Sequence, residues 1–377
     1  DLRMIALKIE DLKTFTAQLL AIRMRLQNIQ TFIITPLKGK EDYKRACDQI
    51  DGQYIALGPG SPYSINIFDI HVPDTQGLAT IDGYNADEEI SLLAKKVQDL
   101  HTFMHLAVRD LTQEEEQVLD GYIYKTYNKF GITEDNSSIF IEGTDKYKEF
   151  PILGDLFDEI KDEPVLARVR NILIPMINGS LSVYNKRTNV DLSNKYIVFD
   201  MNGTKGQNLI LSMFITLDFV WSKIKENRLE KKAVFIDEAW QLIGSQANEM
   251  AAEYVKEIFK TIRAFGGSSF VMTQEISDFF SLKDGEYGKA IISNSDTKIC
   301  LHLDSTEADM VRDVLLLSEE EHKRIMNLQR GSGLVVTGSS KLFVDFKASD
   351  FETDVITTDP QYLSMKMQEQ AKLKENS

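Results

Sequence analysis

With 377 residues the chain can bury one large core, or a core plus an inserted subdomain; 43% apolar and 27% charged residues are ordinary for a globular protein, and eight prolines and 21 glycines exclude a fibrous or low-complexity one. Two cysteines, Cys47 and Cys300, lie far apart and outside any CxxC or CxxH spacing, which excludes a disulfide framework or structural zinc site and suits a reducing compartment. A net charge of −15 without any run of five Lys or Arg argues against a stable grip on nucleic acid, and no apolar stretch reaches the roughly 20 residues that span a bilayer.

In chain order, DLRMIAL has the form of a strand running into a loop and helix rather than of a signal peptide, the pattern expected of a domain taken from a longer protein. MIAL (4–7) leads into a helix from about Lys13 to Gln27, and TFIITPL (31–37) follows as a second strand. QYIALG (53–58) and INIFDI (65–70), bounded by Gly-Pro-Gly and Pro signals, read as two more. From about Ala86 to Asn178 the pattern changes to helical spacing. Ile90, Leu93, Val97, Leu100, Phe103 and Met104 form one stripe, and Leu166, Val169, Leu173 and Met176 another. Strand patterns return with KYIVFDM (195–201), a helix near 206–226, KAVFIDEA (232–239), a helix over 247–264 and SSFVMTQ (268–274). KICLHL (298–303), GLVVTG (333–338) and KLFVDF (341–346) complete the series, and 365–377 reads as a polar, frayed helix. Buried runs spaced by helices predict an α/β fold with an open, mostly parallel sheet.

The sharpest local signal is the strand that ends in Asp237-Glu238. At the carboxyl edge of a parallel sheet one carboxylate can hold Mg²⁺ through water and the next can polarise an attacking water. By itself, a strand end with two solvated acids explains the pair equally well. A neighbouring strand ending in Thr273-Gln274 places an amide near a terminal phosphate, and the two strand ends together are more specific than either alone. A hydrolase of this type needs a phosphate loop, GxxxxGK[ST], after its first strand. The window in that place is Leu7 to Thr14, with Lys13 and Thr14 where the phosphate lysine and the metal-binding hydroxyl belong. Leu7 and Leu12 replace its two glycines, which would permit positive φ and close backbone approach, and Glu10 and Asp11 add negative charge. Arg263 and Arg330 are candidates for reaching a neighbour's γ-phosphate, against the plainer role of surface arginines. His101 and His105 share a helix face without an evident third ligand, so zinc is not expected.

The chain resembles the VirB-type ATPases of bacterial conjugation and type IV secretion, in particular those of Gram-positive conjugative elements. The resemblance covers nearly the whole sequence: QYIALGPGSPYSINIFDI, TNVDLSNKYIVFDMNG, KKAVFIDEAWQLI, FKTIRAFGGSSFVMTQEISDFF and the closing LQRGSGLVVTGSSKLFVDFKAS. It implies a RecA-like P-loop NTPase core in two parts, 1–80 and 191–360, an all-helical insertion over 81–190, and a polar tail over 361–377. It further implies ATP and Mg²⁺ as ligands and assembly as a homo-hexamer with other subunits of a secretion channel. That assembly would sit on the cytoplasmic, inner face of the bacterial cell membrane, docked through an amino-terminal part lying outside this sequence. By the same match Lys13 and Thr14 are the phosphate-loop pair, Asp237 and Glu238 the metal and base pair, and Gln274 the sensor, with Arg263 and Arg330 in segments that carry functional arginines. Leu7, Glu10 and Leu12 depart from the family's glycines. The implied function is a transfer or pilus-assembly motor. The alternatives are a catalytically inactive scaffold of the same fold and a DNA-translocating coupling or packaging motor, the latter disfavoured by the acidic balance.

Overall fold

The computed structural model describes residues 4–7, 10–36, 43–75, 91–243, 249–273, 276–280, 285–329, 331–359, 361–366 and 368. Among the described residues nine strands form one sheet: β1 (Met4–Leu7), β2 (Gln30–Thr35), β3 (Gln53–Ala56), β4 (Tyr196–Asp200), β5 (Lys232–Ile236), β6 (Gly267–Thr273), β7 (Thr297–Cys300), β8 (Ser332–Thr337) and β9 (Ser340–Asp345). Their order across the sheet is β3-β4-β2-β5-β6-β1-β7-β8-β9. The strands from β3 to β7 run parallel, and β8 and β9 close one edge as an antiparallel hairpin.

The helices are α1 (Glu10–Leu26), α2 (Lys44–Gln49), α3 (Leu92–Ala107), α4 (Gln113–Lys129), α5 (Leu153–Glu159), α6 (Ala167–Asn178) and α7 (Gln207–Lys225). They continue with α8 (Trp240–Ile243), α9 (Glu249–Thr261), α10 (Ile276–Phe279), α11 (Glu286–Asn294), α12 (Ser305–Leu315), α13 (Glu319–Ile325) and α14 (Asp350–Ile356). Parallel pairing needs a crossover between strands, so helices must cover both faces of the sheet. The strands show it by alternation. In β2, β4, β5 and β6, Phe32, Ile34, Ile197, Phe199, Val234, Ile236 and Val271 face one core, which they share with α3 to α7 and α9. Ile33, Tyr196, Val198, Ala233, Phe235, Phe270 and Met272 face the other, under α1 and α2. Phe235 and Phe270 stack there with ring centroids 4.1 Å apart.

Between β3 and β4 the described regular elements are helical, apart from a single bridge between Phe140 and Tyr147. This segment is fastened to the sheet layers by charge as well as by apolar packing. Lys96 of α3 meets Asp218 of α7 at 2.9 Å, both nearly buried, and Tyr254 of α9 donates to the other Asp218 oxygen at 2.7 Å. Opposite charge and a hydrogen-bond donor on each carboxylate oxygen offset the desolvation of the ions.

INIFDI is not a strand. Ile65, Ile67, Phe68 and Ile70 are buried as expected, but the backbone turns at Asn66, whose side chain accepts from the Phe68 N–H at 3.2 Å and donates to Pro151 O at 2.9 Å. Thr188 and Asn189 side chains accept from the N–H groups of Asn66 and Ser64, both at 2.8 Å. With these N–H groups satisfied by side chains, the segment has no need of a ladder.

On the outer side of α1, Arg23 grips Glu352 of α14 with two bonds of 2.7 and 3.0 Å and also donates to Lys347 O at 2.9 Å. The Arg23 bonds, first among the causes, hold the Glu352 carboxyl down from 4.5 to about 2. A depressed carboxyl contributes stability above its unfolded value and loses it as pH falls. The folded chain is therefore expected to lose about 0.5–1 kcal/mol from this pair, after solvent screening, as pH drops from 4.5 toward 2. Urea midpoints at pH 6 and pH 3 check this. Glu352→Gln should flatten the difference, and an unchanged acid loss in that variant would refute the assignment.

Candidate active site

The carboxyl ends of β1, β5 and β6 lie on one edge of the sheet, because these strands are parallel and β6 stands between the other two. Asp237 follows β5 directly, and its N–H still donates to Ile34 O of β2 at 2.9 Å. Two residues later the Ala239 N–H donates to Met272 O of β6 at 3.2 Å. The chain swings from one neighbour to the other through Glu238, which adopts a left-handed backbone with φ +49°. That conformation costs a non-glycine residue about 1–2 kcal/mol. It turns the Glu238 side chain back over the strand ends, where it meets a cation.

The cation is Lys13, 225 positions away in sequence. Its Nζ lies 2.7 Å from Asp237 Oδ1 and donates to Glu238 Oε1 in an even closer contact. Lys13, Asp237 and Glu238 are only 1%, 6% and 3% exposed, so their charges must answer one another. The Glu238 carboxyl is pushed up first by burial and then by the Asp237 charge beside it, against the pull of Lys13. For Lys13, burial alone would lower the ammonium, but the two carboxylates outweigh it and the net direction is upward. Thr14 is buried beside Lys13 on the same helix. Glu238 has a further partner that sequence reasoning missed. Trp240 Nε1 donates to Glu238 Oε2 at 2.7 Å. Its signal was in view, a tryptophan two residues beyond the glutamate in Asp-Glu-Ala-Trp.

The window expected to form the phosphate loop is mostly helix. β1 ends at Leu7 and α1 begins at Glu10, so positions 10–14 are already helical rather than the loop preceding a helix at Lys13. Positions 8 and 9, and the side chains of 7 and 10–12, lie outside the described residues. No residue of 10–14 has a positive φ, as expected where leucine and acidic residues replace glycines. What the helix offers an anion is the set of N–H groups in its first turn.

Thr273 closes β6 on this edge, fully buried. Gln274 and Arg330 lie outside the described residues. Arg263 does not join the carboxylates. It sits exposed on the turn before β6, one whole strand away, about 20 Å by the rise per residue. Among the described residues no group of three or more His, Cys, Asp or Glu is arranged to hold a metal ion. His101 and His105 pair with Asp120 and Glu116 at 2.8 and 3.3 Å.

Residues 166–375, more than half of the chain, match the family described as the TraG P-loop domain. Protein TraC of Escherichia coli K12 is 28% identical over 116 residues, 30% of this chain and 13% of that protein, so the chain corresponds to a small part of this curated relative. The structure of VirB4 of Thermoanaerobacter pseudethanolicus superposes with a TM-score of 0.79 at 26% identity, covering 93% of this chain and 90% of that one. The plasmid coupling protein TrwB, solved in complex with ADP and Mg²⁺, has a TM-score of 0.56 at 12% identity over 92% and 85% of the two chains, a likeness of fold.

Proposed function

This chain belongs to the TraG P-loop domain family, and from that premise we propose that it is the ATP-hydrolysing motor domain of a conjugative-transfer or type IV secretion machine. The observation that carries the proposal is the meeting of Lys13 with Asp237 and Glu238 at the carboxyl edge of the sheet. An ammonium already lies between the two carboxylates, so this place accepts positive charge, and Asp237 with Thr14 supplies the hard oxygen donors that suit Mg²⁺. Bound there, Mg²⁺ would neutralise charge on the phosphates.

The chain's own residues take the remaining roles. Lys13 transfers its ammonium from the carboxylates to the phosphates of the nucleotide. Glu238 Oε1, released by Lys13, accepts the proton of the attacking water. The water oxygen bonds to the terminal phosphorus, and the bond to the bridging oxygen breaks with its electron pair leaving on the diphosphate. Gln274 serves as the phosphate sensor and Arg330 reaches a neighbouring subunit. Arg263, at the far edge of the sheet, would act only on a different subunit. Assembly as a homo-hexamer against a secretion channel, at the inner face of the membrane, belongs to the same proposal, as does an all-helical insertion over 81–190. No helix among the described residues is long and apolar enough to cross a membrane.

One observation favours a second reading, a non-hydrolysing scaffold of the same fold. The helix starting at Glu10 leaves little of a phosphate loop. Phosphate release and calorimetric nucleotide binding by the purified chain separate the two. Saturable turnover with MgATP is expected, and an absence of binding at millimolar MgATP would leave the scaffold reading standing.

A further inference from the structure

We infer that Trp240 is a positioning residue for Glu238. Its indole N–H fixes one carboxylate oxygen, so that the other points at the reacting water when Lys13 departs. This inference rests on the hydrolase reading above. A glutamate at a strand end has three side-chain torsions, and the last is broad and roughly two-fold, so a directional bond to one carboxylate oxygen narrows it. Here Oε2 accepts from Trp240 Nε1 at 2.7 Å, and Oε1 accepts from Lys13. The indole N–H is a neutral donor, so it gains less from phosphate than the Lys13 ammonium does and is better kept by the Glu238 carboxylate.

The two bonds have different fates. Lys13 must release Oε1 for phosphate, while Trp240 keeps Oε2. The freed oxygen thus stays where the ammonium left it, with an open lone pair and little reorganisation before proton transfer. The local chain supports this division. The left-handed backbone at Glu238 fixes the origin of the side chain, and the Gln241 N–H donates to Glu238 O at 3.0 Å, tying the first turn of α8 to the same residue. Trp240 opens that turn and is only part-buried.

The experiment uses a chain with Trp221→Phe, which leaves Trp240 as its one tryptophan. Trp221 packs edge-on against Phe265, outside the site. Trp240→Phe, made in the otherwise unaltered chain, keeps an aromatic ring and removes the N–H. Its kcat is expected to fall about tenfold, of the order of one charge-assisted hydrogen bond, with the KM for MgATP unchanged within about twofold. A residue that only packs would show neither loss nor this split. A second measurement needs no change at position 240. Indole excitation moves electron density away from the ring nitrogen, so a carboxylate at Nε1 lowers the excited state. Glu238→Gln in the single-tryptophan chain should therefore shift Trp240 emission to the blue. Parent-like kcat in Trp240→Phe, or unshifted emission in Glu238→Gln, overturns the assignment while leaving the hydrolase reading intact. No turnover by the parent chain at saturating MgATP overturns both, and the emission shift then reports only a resting contact.

Discussion

Replacing Lys13 by alanine is expected to cost the folded chain about 3–5 kcal/mol and to end turnover, because it leaves two adjacent buried carboxylates without their cation. Two carboxylates that close cannot both stay ionised in a dry setting, so one takes a proton. The loss should consequently grow with pH. Glu238 is already raised from 4.5 beside Lys13, and without the ammonium it rises further. A raised group contributes stability below its unfolded value and loses it as pH climbs through the folded one. Guanidinium unfolding at pH 5 and pH 8 should show the larger deficit at pH 8, and Glu238→Gln added to Lys13→Ala should recover part of it. A deficit under about 1 kcal/mol, flat with pH, would mean that the three side chains do not form a closed charge cluster.

Glu238→Gln in the otherwise unaltered chain is expected to lower turnover by about 10²–10⁴-fold, the range for loss of a general base, while MgATP still binds. Asp237 and Thr14 keep the donors for Mg²⁺ and Lys13 keeps its charge for phosphate, so calorimetric affinity should change little. In stability the substitution should act the other way. The neutral amide has no carboxyl to desolvate, so the decline in stability that ionised Glu238 imposes as pH rises from 4.5 should be absent from the variant. Turnover within a few-fold of the parent would remove Glu238 from the chemistry.

Much of the fold was legible because a strand buried on both faces is written as an unbroken apolar run. YIVFD could be placed within a residue of its observed ends, and KAVFI from its first residue, though it ends three residues before the expected 239. INIFDI carries the same apolar signal yet turns, because Asn66 and the distant Thr188 and Asn189 satisfy its backbone, and such partners have no local signature. Strand order is equally silent in the sequence. That β1 belongs between β6 and β7 depends on contacts nearly the length of the chain apart. Asp237 and Glu238 were singled out because they end a strand, where parallel topology gathers side chains, and Lys13 because it falls where a phosphate-loop lysine would follow the first strand. Arg263 stands before its strand, and in a parallel sheet that puts it on the other edge, an inference available from its position alone. Trp240 was visible only as part of a motif, since its role lies in an N–H aimed at one oxygen.

The place of β1 in the sheet has a consequence for how the molecule is made. Met4 pairs with Phe270 on one side and Thr297 on the other. A ribosome adding about 5–20 residues per second needs roughly 13–52 s to travel from β1 to β6, the first of these neighbours to be made. Through that interval β1 has neither of its neighbours, while β3, β4, β2 and β5 can already join. The β8–β9 hairpin closes locally within microseconds of its synthesis, but it reaches the rest of the sheet only through β7 and β1. A strand translated before all eight of its described partners in the sheet is thus held back until β6 emerges, and that interval is one in which chaperones can act on the nascent chain.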